Sequence, residues 1–298
     1  MGQRVVVRRV LPGETGPTGG PAMTDVLGTC TWWGDGVCVV EPDGKGPREP
    51  VTIRLQDIVS GKPVPPRAST RHRVSPPEAQ RRALALWPDV ETAPLGDWLL
   101  RRSRTSTARR ANSVLAMGPP GVEGAFERVV AHYDALGQRP IAAVLPDSAE
   151  DALFRDHGWV PESHEPDTVF QLAGVAAARR SISGVVLPGV DVSLSGDDHL
   201  VTAEARTDGG RVLASGVAAY ADDWVGFRTI EVDPAERGRR LGLLVMAELL
   251  EWGAERGATT AYLQVLGDNT RAFALYEGLG FTTHHLYRYL AARLAPPS

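Results

Sequence analysis

Three arginines and two glycines occur together in the segment RGRRLG, which covers residues 237–242. Guanidinium groups form charge-assisted hydrogen bonds with phosphate oxygens. The first amides of a helix have no intrahelical partner, and the helix dipole adds partial positive charge at the same end. If a helix begins in this segment, its amides and the side chains of Arg237, Arg239 and Arg240 can bind a phosphate together.

The residues around this segment predict the elements that must position it. TIEV at 229–232 favours a β-strand that stops before Pro234. After RGRRLG, apolar residues recur at helical spacing, and Gly257 stands where a left-handed helix end is expected. A helix is therefore predicted over 239–256. Its apolar positions are Leu241, Leu244, Val245, Leu249 and Trp252.

A buried strand and a short helix are predicted next. TAYLQVL at 260–266 is typical of a buried strand, and Asp268 and Asn269 are suited to begin a helix that ends at Gly280. The apolar face of that helix contains Ala272, Leu275, Tyr276 and Leu279. The order is therefore strand, glycine-containing turn, helix, strand and short helix.

This ordered set, RGRRLG followed by DNTRAFALYEGLGF, resembles the GNAT superfamily of acyl-coenzyme A dependent N-acyltransferases. The resemblance is strongest over 229–281 and looser over the rest of the C-terminal part. The superfamily pattern has arginine or glutamine, then a glycine, any residue, and glycine or alanine. Arg237, Leu241 and Gly242 fit it, whereas Arg240 stands where the first glycine belongs. We expect this departure to affect cofactor affinity rather than fold.

The resemblance implies a site for acetyl-coenzyme A. Amides between 238 and 243 would hold the pyrophosphate, and the pantetheine arm would pair with the backbone of 230–232, where that strand splays from 261–265. The amide of Val232 would polarise the thioester oxygen. Asn269 would bond the arm, or would only cap its helix. The implied cofactor residues are Ile230, Val232, Arg237, Gly238, Arg239, Arg240, Leu241, Gly242, Leu243, Asn269 and Ala272.

Two residues are candidates for proton transfer. Tyr276 resembles the family's general acid, since a phenol stays protonated at neutral pH and can protonate a leaving thiolate. The alternative is a core aromatic on an amphipathic helix. Glu231 is the first candidate for a base, although alternation along the strand allows its side chain to face the opposite side of the sheet. A water chain is another possibility, and the weaker carboxylate candidates are Glu204, Asp222 and Asp223.

Composition limits the class of protein. The 298 residues are 43% hydrophobic and carry a formal net charge of −4. This charge argues against a chain built mainly to neutralise nucleic-acid phosphates. Cys30 and Cys38 are too few for a disulfide scaffold or a four-cysteine zinc site, so a reducing cytoplasm and no metal are expected. No apolar run reaches membrane-spanning length.

The N-terminal part has a different pattern. Short β-rich runs separated by glycine turns predict a small SH3-like β-barrel over 1–60, with at least one of Trp32 and Trp33 in its core. The proline-rich, aperiodic stretch 61–77 is typical of a linker.

Residues 78–172 predict helices and strands in an order that echoes the C-terminal motif. EAQRRALALW and PLGDWLLRRS are predicted as helices, and an ANSVLAM strand follows. Phe154 aligns with Tyr276 but lacks the hydroxyl, and nothing like RGRRLG precedes it. We therefore expect a degenerate GNAT-like half without chemistry. The arginines before the strand are expected on a solvated face or at the 3′-phosphate of coenzyme A: Arg101, Arg102, Arg104, Arg109 and Arg110.

The expected fold is α+β or α/β, with the GNAT domain over 173–298, where a helix or connection over 173–185 leads into the strands. The expected activity is acetyl transfer from acetyl-coenzyme A to an amine of a small molecule or a protein. A mycothiol-synthase-like acetyltransferase and a non-catalytic acyl-coenzyme A sensor that binds a partner through the barrel are the alternatives. A monomer and a homodimer are equally compatible with the sequence.

Overall fold

The structure is a computed structural model that describes residues 2–16, 19–43, 49–64 and 70–293. The chain divides into two compact units, Met1–Ser69 and Thr70–Ser298. Residues 65–69 of the predicted linker lie outside the described residues. The predicted boundaries at 77 and 172 stay predictions.

The first unit is a five-stranded antiparallel sheet in the order β4-β3-β2-β1-β5. Its strands are β1 (Gln3–Thr15), β2 (Pro21–Gly34), β3 (Val37–Pro42), β4 (Val51–Arg54) and β5 (Ile58–Pro63). A small core is formed by Val7, Val26, Cys30, Cys38, Val40 and Ile53. Among the described residues, no pairing joins the edge strands β4 and β5, so no closed barrel forms.

The tryptophan prediction for this unit is wrong. Trp32 is 44% exposed and Trp33 is 53% exposed. A β-bulge follows Cys30, so the alternation that buries Cys30 does not carry through to the tryptophans. The buried positions of the two strands are instead filled by Cys30, Cys38 and Val40.

The second unit contains all the helices longer than one turn that the described residues form. Its first part has α1 (Pro76–Arg82), β6 (Glu91–Leu95), β7 (Trp98–Arg102), β8 (Val114–Leu115), α2 (Ala125–Ala135), β9 (Ile141–Val144), α3 (Ala149–Asp156), β10 (Val160–Pro161) and β11 (Thr168–Gly174). Its second part has α4 (Val175–Ile182), β12 (Val190–Gly196), β13 (Leu200–Thr207), β14 (Val212–Ala221), β15 (Trp224–Val232), α5 (Leu241–Glu255), β16 (Thr260–Leu266), α6 (Thr270–Gly278) and β17 (Thr282–Ala291).

These strands form one continuous sheet of twelve. Its order is β12-β13-β14-β15-β16-β11-β17-β9-β8-β7-β6, and β10 pairs with β17. Strand β17 pairs with β11 over its first part and with β9 from Arg288 onward, so it belongs to both halves. The strand β11, which precedes α4 in the chain, is inserted between β16 and β17. The C-terminal half is therefore completed by residues from upstream.

The helix α5 connects β15 to the parallel strand β16 and packs on one face of the sheet. Its buried side chains, including Val245, Leu249 and Trp252, share a core with α4 and with strands β13 to β16. The opposite face is covered by α1 and the short helix after it, which pack on Phe170, Trp224 and Tyr262. The sheet is thus covered on both faces at the level of Trp224 and Tyr262, where β15 and β16 are still paired.

The first half departs from the sequence prediction in two places. PLGDWLLRRS is not a helix: β6 and β7 form a hairpin through Gly96, which has φ +58°. A Cβ at Gly96 would lie 1.9 Å from the carbonyl oxygen of Pro120, so only glycine fits this turn.

The arginine run is also not a single solvated face, because only Arg104 is exposed, where it pairs with Glu91. Arg101 is buried and donates to Ser113. Arg109 donates to Glu162 and Ser163. Both Arg101 and Arg109 therefore have partners within the first half, which argues against a role for them at the 3′-phosphate of coenzyme A. Within the described residues, no helix combines the length and apolar character that crossing a membrane requires.

Candidate functional site

A β-bulge in β15 begins the site. Arg228 pairs with Val217 of β14 and Glu231 pairs with Ser215, so two residues of β15 stand opposite the single residue Gly216. One of the two, Thr229, has φ +53°. A Cβ on Gly216 would lie 2.5 Å from Ile230 Cδ1 and would displace it. Glycine at this position therefore allows the bulge, which changes the direction of the strand.

The strands β15 and β16 separate at the same level. Their parallel ladder runs from Trp224 and Thr260 to Phe227 and Leu263, which form its last pair among the described residues. Beyond that pair, β15 continues to pair with β14 on its other edge. The edge of residues 230–232 that faces β16 is consequently open, and an extended ligand with amide groups can pair with it.

The helix α5 begins beside this open edge. Its first intrahelical bonds run from the amides of Leu243 and Leu244 to the carbonyl oxygen of Arg240, at 3.0 and 3.1 Å. The amides of Leu241 and Gly242 precede them and have no intrahelical acceptor. A Cβ on Gly242 would contact Val232 Cγ2 and Leu275 Cδ1 at 3.6 Å, so the helix start lies between β15 and α6.

Arg240 has a strained backbone at the start of α5. Its φ is +62° and its ψ is 17°, which is the left-handed region that glycine adopts without strain. This conformation explains why the superfamily pattern has a glycine here. The arginine keeps the same backbone path, and its side chain is exposed at the helix N-terminus.

A groove of about 720 Å³ joins these features. Its lining is drawn from β15, the turn before α5, the first turn of α5 and α6: Ile230, Glu231, Val232, Pro234, Arg237, Gly238, Arg240, Leu241, Gly242, Leu243, Asn269, Arg271, Ala272, Leu275 and Tyr276. All the residues predicted for the cofactor except Arg239 are among them, together with Tyr276 and Glu231, whereas the weaker base candidates Glu204, Asp222 and Asp223 are not. The side chain of Arg239 is paired with Glu236, which also pairs with Arg211.

Asn269 caps α6. Its side-chain oxygen accepts a hydrogen bond of 3.1 Å from the amide of Ala272, so this oxygen has the capping role that the sequence left open. The side-chain amide nitrogen is a further donor at the edge of the groove. Arg271, which the sequence prediction did not include, adds a positive charge to the same wall.

Tyr276 is partly buried in the groove. Its ring packs edge-on against Phe281 at a centroid distance of 5.8 Å. Burial raises the pKa of the phenol to about 12. Among the described residues, the hydroxyl has no hydrogen-bond partner. Tyr276 therefore carries a proton at neutral pH and can donate it to a group bound in the groove.

Glu231 lies on the other side of the sheet from α5. Ile230 packs into the core beneath α5, where Gly216 leaves room for it. The next residue along the strand points to the opposite face. Glu231 is exposed there and also borders the groove, so its carboxylate can reach a nucleophile that approaches from that face.

The first half of the unit positions its matching residues differently. Phe154, the counterpart of Tyr276, is completely buried and stacks on Trp98 at 5.6 Å. The helix α2 has Gly124 at its N-cap and the acidic Glu127 in its first turn, whereas α5 has Arg240 at its N-cap. That this half carries no chemistry stays a prediction.

The arrangement defines a class of protein. Two parallel strands separate beside a positively charged helix N-terminus, and a protonated phenol lies in the groove between them. This arrangement is typical of an N-acyltransferase with the GNAT fold.

Comparison with known proteins agrees with this class. The family model described as "Probable histone acetyltransferase Rv0428c C-terminal" matches residues 78–290. The chain is 30% identical over 230 residues to the probable histone acetyltransferase Rv0428c of Mycobacterium tuberculosis (strain ATCC 25618 / H37Rv), covering 71% of this chain and 72% of that protein. It is 26% identical over 242 residues to the uncharacterized N-acetyltransferase YobR of Bacillus subtilis (strain 168), covering 70% of this chain and 96% of that protein.

A solved structure shows the same fold. The GCN5-related N-acetyltransferase from Kribbella flavida superposes with a TM-score of 0.58 at 14% identity, over 77% of this chain and 98% of that chain. The chain belongs to the Rv0428c C-terminal family of the GNAT superfamily, and it is an acyltransferase.

Proposed function

We propose that the protein transfers an acetyl group from acetyl-coenzyme A to a primary amine of a small molecule or protein by direct attack. The observation that carries the proposal is the groove itself, in which an open strand edge, unpaired helix amides and a protonated phenol converge. Each of these features meets a separate requirement of thioester aminolysis.

The groove residues fit the proposed cofactor. Leu241 and Gly242 offer amides to a pyrophosphate, and Arg237 and Arg240 add charge-assisted bonds. Space around Gly238 is open, since a Cβ there would meet no atom within 4 Å. The open edge of 230–232 would pair with the amides of a pantetheine arm, and the amide nitrogen of Asn269 would bond the same arm.

The bound cofactor supplies a thioester, and the residues of the chain move the protons. The amide of Val232 would polarise the carbonyl oxygen. Glu231, directly or through water, would take the proton that the amine loses as its nitrogen bonds to the acetyl carbon. When the carbon–sulfur bond breaks, the Tyr276 hydroxyl would protonate the thiolate. The products are the acetylated amine and free coenzyme A.

The direct test is incubation of the protein with acetyl-coenzyme A and a panel of amines. Release of free thiol that depends on an amine, together with an acetylated product identified by mass, is expected. Binding of acetyl-coenzyme A without transfer to any amine would instead favour the sensor hypothesis. Failure to bind acetyl-coenzyme A would contradict the proposal entirely.

We also propose that the N-terminal unit is an SH3-like module and that the protein works in the reducing cytoplasm. Five short antiparallel strands within 69 residues support the first point. The buried, unbonded thiols Cys30 and Cys38, whose sulfurs lie 3.9 Å apart, support the second. Comparing the fold of this unit by NMR with and without a disulfide reductant tests both points.

A further inference from the structure

The sheet face opposite α5 has a second set of polar residues at the level where β15 and β16 separate. Trp224 and Tyr262 lie on this face, and the Tyr262 ring covers Gly226, where a Cβ would meet Tyr262 Cζ at 2.1 Å. Two residues further along each strand are Arg228 and Gln264, which lie on the same face because strand side chains alternate. They follow Phe227 and Leu263, the last pair of the ladder. The two side chains therefore flank the gap between the strands.

Arg228 has an unusual environment. Its guanidinium lies 4.6 Å from the centre of the Trp87 ring. Its Nε is buried without a hydrogen-bond partner. Burial lowers its pKa, and the attraction of Asp89 opposes that effect. Among the described residues, no carboxylate is within ion-pair distance of Arg228, and Asp89 itself accepts hydrogen bonds from Ser103 and Thr105.

The guanidinium of Arg228 is half-buried, has no carboxylate partner among the residues that the structure describes and carries a buried Nε without a hydrogen bond, so a bound anion can supply the partner that these residues do not. Stacking on the Trp87 ring holds the planar guanidinium of Arg228, so that its N–H donors point in a fixed direction. A carboxylate or phosphate can accept two parallel hydrogen bonds from such a group.

The other side of the gap is also positively charged. Arg110, from the first half of the unit, donates from Nε to Gln264 Oε1 at 3.2 Å and to the Tyr287 hydroxyl at 3.0 Å. Tyr287 in turn donates to Gln264. These bonds hold the guanidinium at the edge of β16. Its terminal nitrogens bond to no described residue and remain available.

Glu231 completes the arrangement. Glu231 pairs with Ser215 of β14, and Arg228 pairs with Val217 of the same strand. Ser215 and Val217 are two residues apart. A strand rises ~3.3 Å per residue, so the two positions are about 7 Å apart on one face. The bulge thus brings the proposed base and an unpaired guanidinium onto the same face, with opposite charges that form no ion pair with each other.

We propose that the acceptor is an amine that also carries an acidic group, which Arg228 binds while the amine faces Glu231 and the thioester. The inference rests on the proposed acetyl transfer and adds the substrate class. The acidic group takes the place of the missing partner of Arg228, and Arg110 contributes a second positive charge across the gap.

The test compares amines that differ only in the acidic group. Glycine, 3-aminopropanoate, 4-aminobutanoate and 6-aminohexanoate are compared with alkylamines of the same carbon number, and 2-aminoethyl phosphate separates phosphate from carboxylate. Thiol release gives kcat/KM for each at saturating acetyl-coenzyme A. At least one acidic amine is expected to exceed its neutral counterpart by about 10- to 100-fold, the strength of a hydrogen bond between charged groups.

Three variants locate the effect. Arg228→Gln is expected to remove the preference and leave the neutral amines within about 3-fold of the parent, whereas Arg228→Lys keeps part of it because the charge remains. Arg179→Gln removes an arginine that pairs with Glu251 on the α5 side and is expected to change nothing. Unchanged acetyl-coenzyme A binding shows that each variant is folded.

The outcomes separate this inference from the proposed function. The inference is overturned if the parent protein has an equal or higher kcat/KM for the neutral amines than for the acidic ones. It is also overturned if Arg228→Gln lowers kcat/KM equally for both series. In either case the proposed acetyl transfer stands. Binding of acetyl-coenzyme A with no transfer to either series or to a panel of protein amines refutes the proposed function itself.

Discussion

Replacement of Arg240 by glycine is expected to change stability and cofactor affinity in opposite directions. The left-handed conformation at φ +62° costs a non-glycine residue ~1–2 kcal/mol. Glycine removes that strain but gives the unfolded chain more conformational freedom, which offsets ~0.4–1 kcal/mol of the gain in stability. The net expectation is a gain of about 0.5–1 kcal/mol in the free energy of unfolding. For a unit of this size the melting temperature would rise by ~1–4 °C.

The same substitution removes an exposed positive charge from the helix N-terminus, so acetyl-coenzyme A should bind more weakly. A loss of ~1 kcal/mol, or about 5-fold in Kd, is expected for a partly screened charge. Arg239→Gly is the matched control, since Arg239 lacks a positive φ and pairs with Glu236. That variant should lose stability and keep its affinity. Denaturant unfolding and calorimetric titration measure both quantities.

An Arg240→Gly protein that is less stable than the parent would refute the strain argument. An unchanged Kd would refute the role of the arginine in phosphate binding. If both results hold as expected, the strain persists because the side chain serves the cofactor.

Two further predictions concern the fold around the site. Gly216→Ala places a Cβ 2.5 Å from Ile230 Cδ1 and should cost ~1–3 kcal/mol of stability, measured by denaturant unfolding, whereas Gly209→Ala, with no atom closer than 3.7 Å, should cost much less. Burial lowers the pKa of His285 to about 3. Because the unfolded chain binds this proton near pH 6.5 and the folded one does not, the contribution of His285 to stability should be constant above pH 6.5 and fall towards pH 3. His285→Gln should reduce that slope in acid unfolding curves, and an unchanged slope would contradict the pKa.

Local patterns in the sequence predicted the elements of the site. The strand Thr260–Leu266 has the predicted bounds, and the helix Leu241–Glu255 begins two residues later than expected. The turn at Asp208, Gly209 and Gly210 joins β13 to β14 as a hairpin. These features depend on glycine conformations and on side-chain periodicity within a few residues, which the sequence displays directly.

Long-range pairing was not visible in the same way. TVFQLAG at 168–174 is a strand between β16 and β17, although both neighbours lie about a hundred residues downstream. The pairing with β16 and β17 decides where this strand lies in the sheet, and the local propensity of its residues does not. Likewise, WLLRR forms a strand because Gly96 fits against Pro120, a contact that a helical pattern of leucines does not reveal.

The residues of the proposed acceptor site were missed for a related reason. Arg228 lies within β15, directly before the predicted TIEV segment, but its position over Trp87 depends on a contact between segments far apart in the chain. Arg110 was assigned to a charge run, and only the fold shows its bonds to Gln264 and Tyr287. The available signal was a charged residue that directly follows the apolar run WVGF in that strand.

The most direct test of the account is the rate of acetyl transfer by Tyr276→Phe under single-turnover conditions. The change removes one hydroxyl and little volume, so the fold and acetyl-coenzyme A binding should be retained while transfer slows about 10²-fold or more. Tyr133→Phe is the control, because burial also raises the pKa of that phenol to about 12 but its hydroxyl donates to the Arg101 carbonyl, away from the groove. The Tyr133→Phe protein should transfer the acetyl group at the rate of the parent protein. Equal rates for Tyr276→Phe and the parent protein would contradict the assignment of Tyr276 as the general acid.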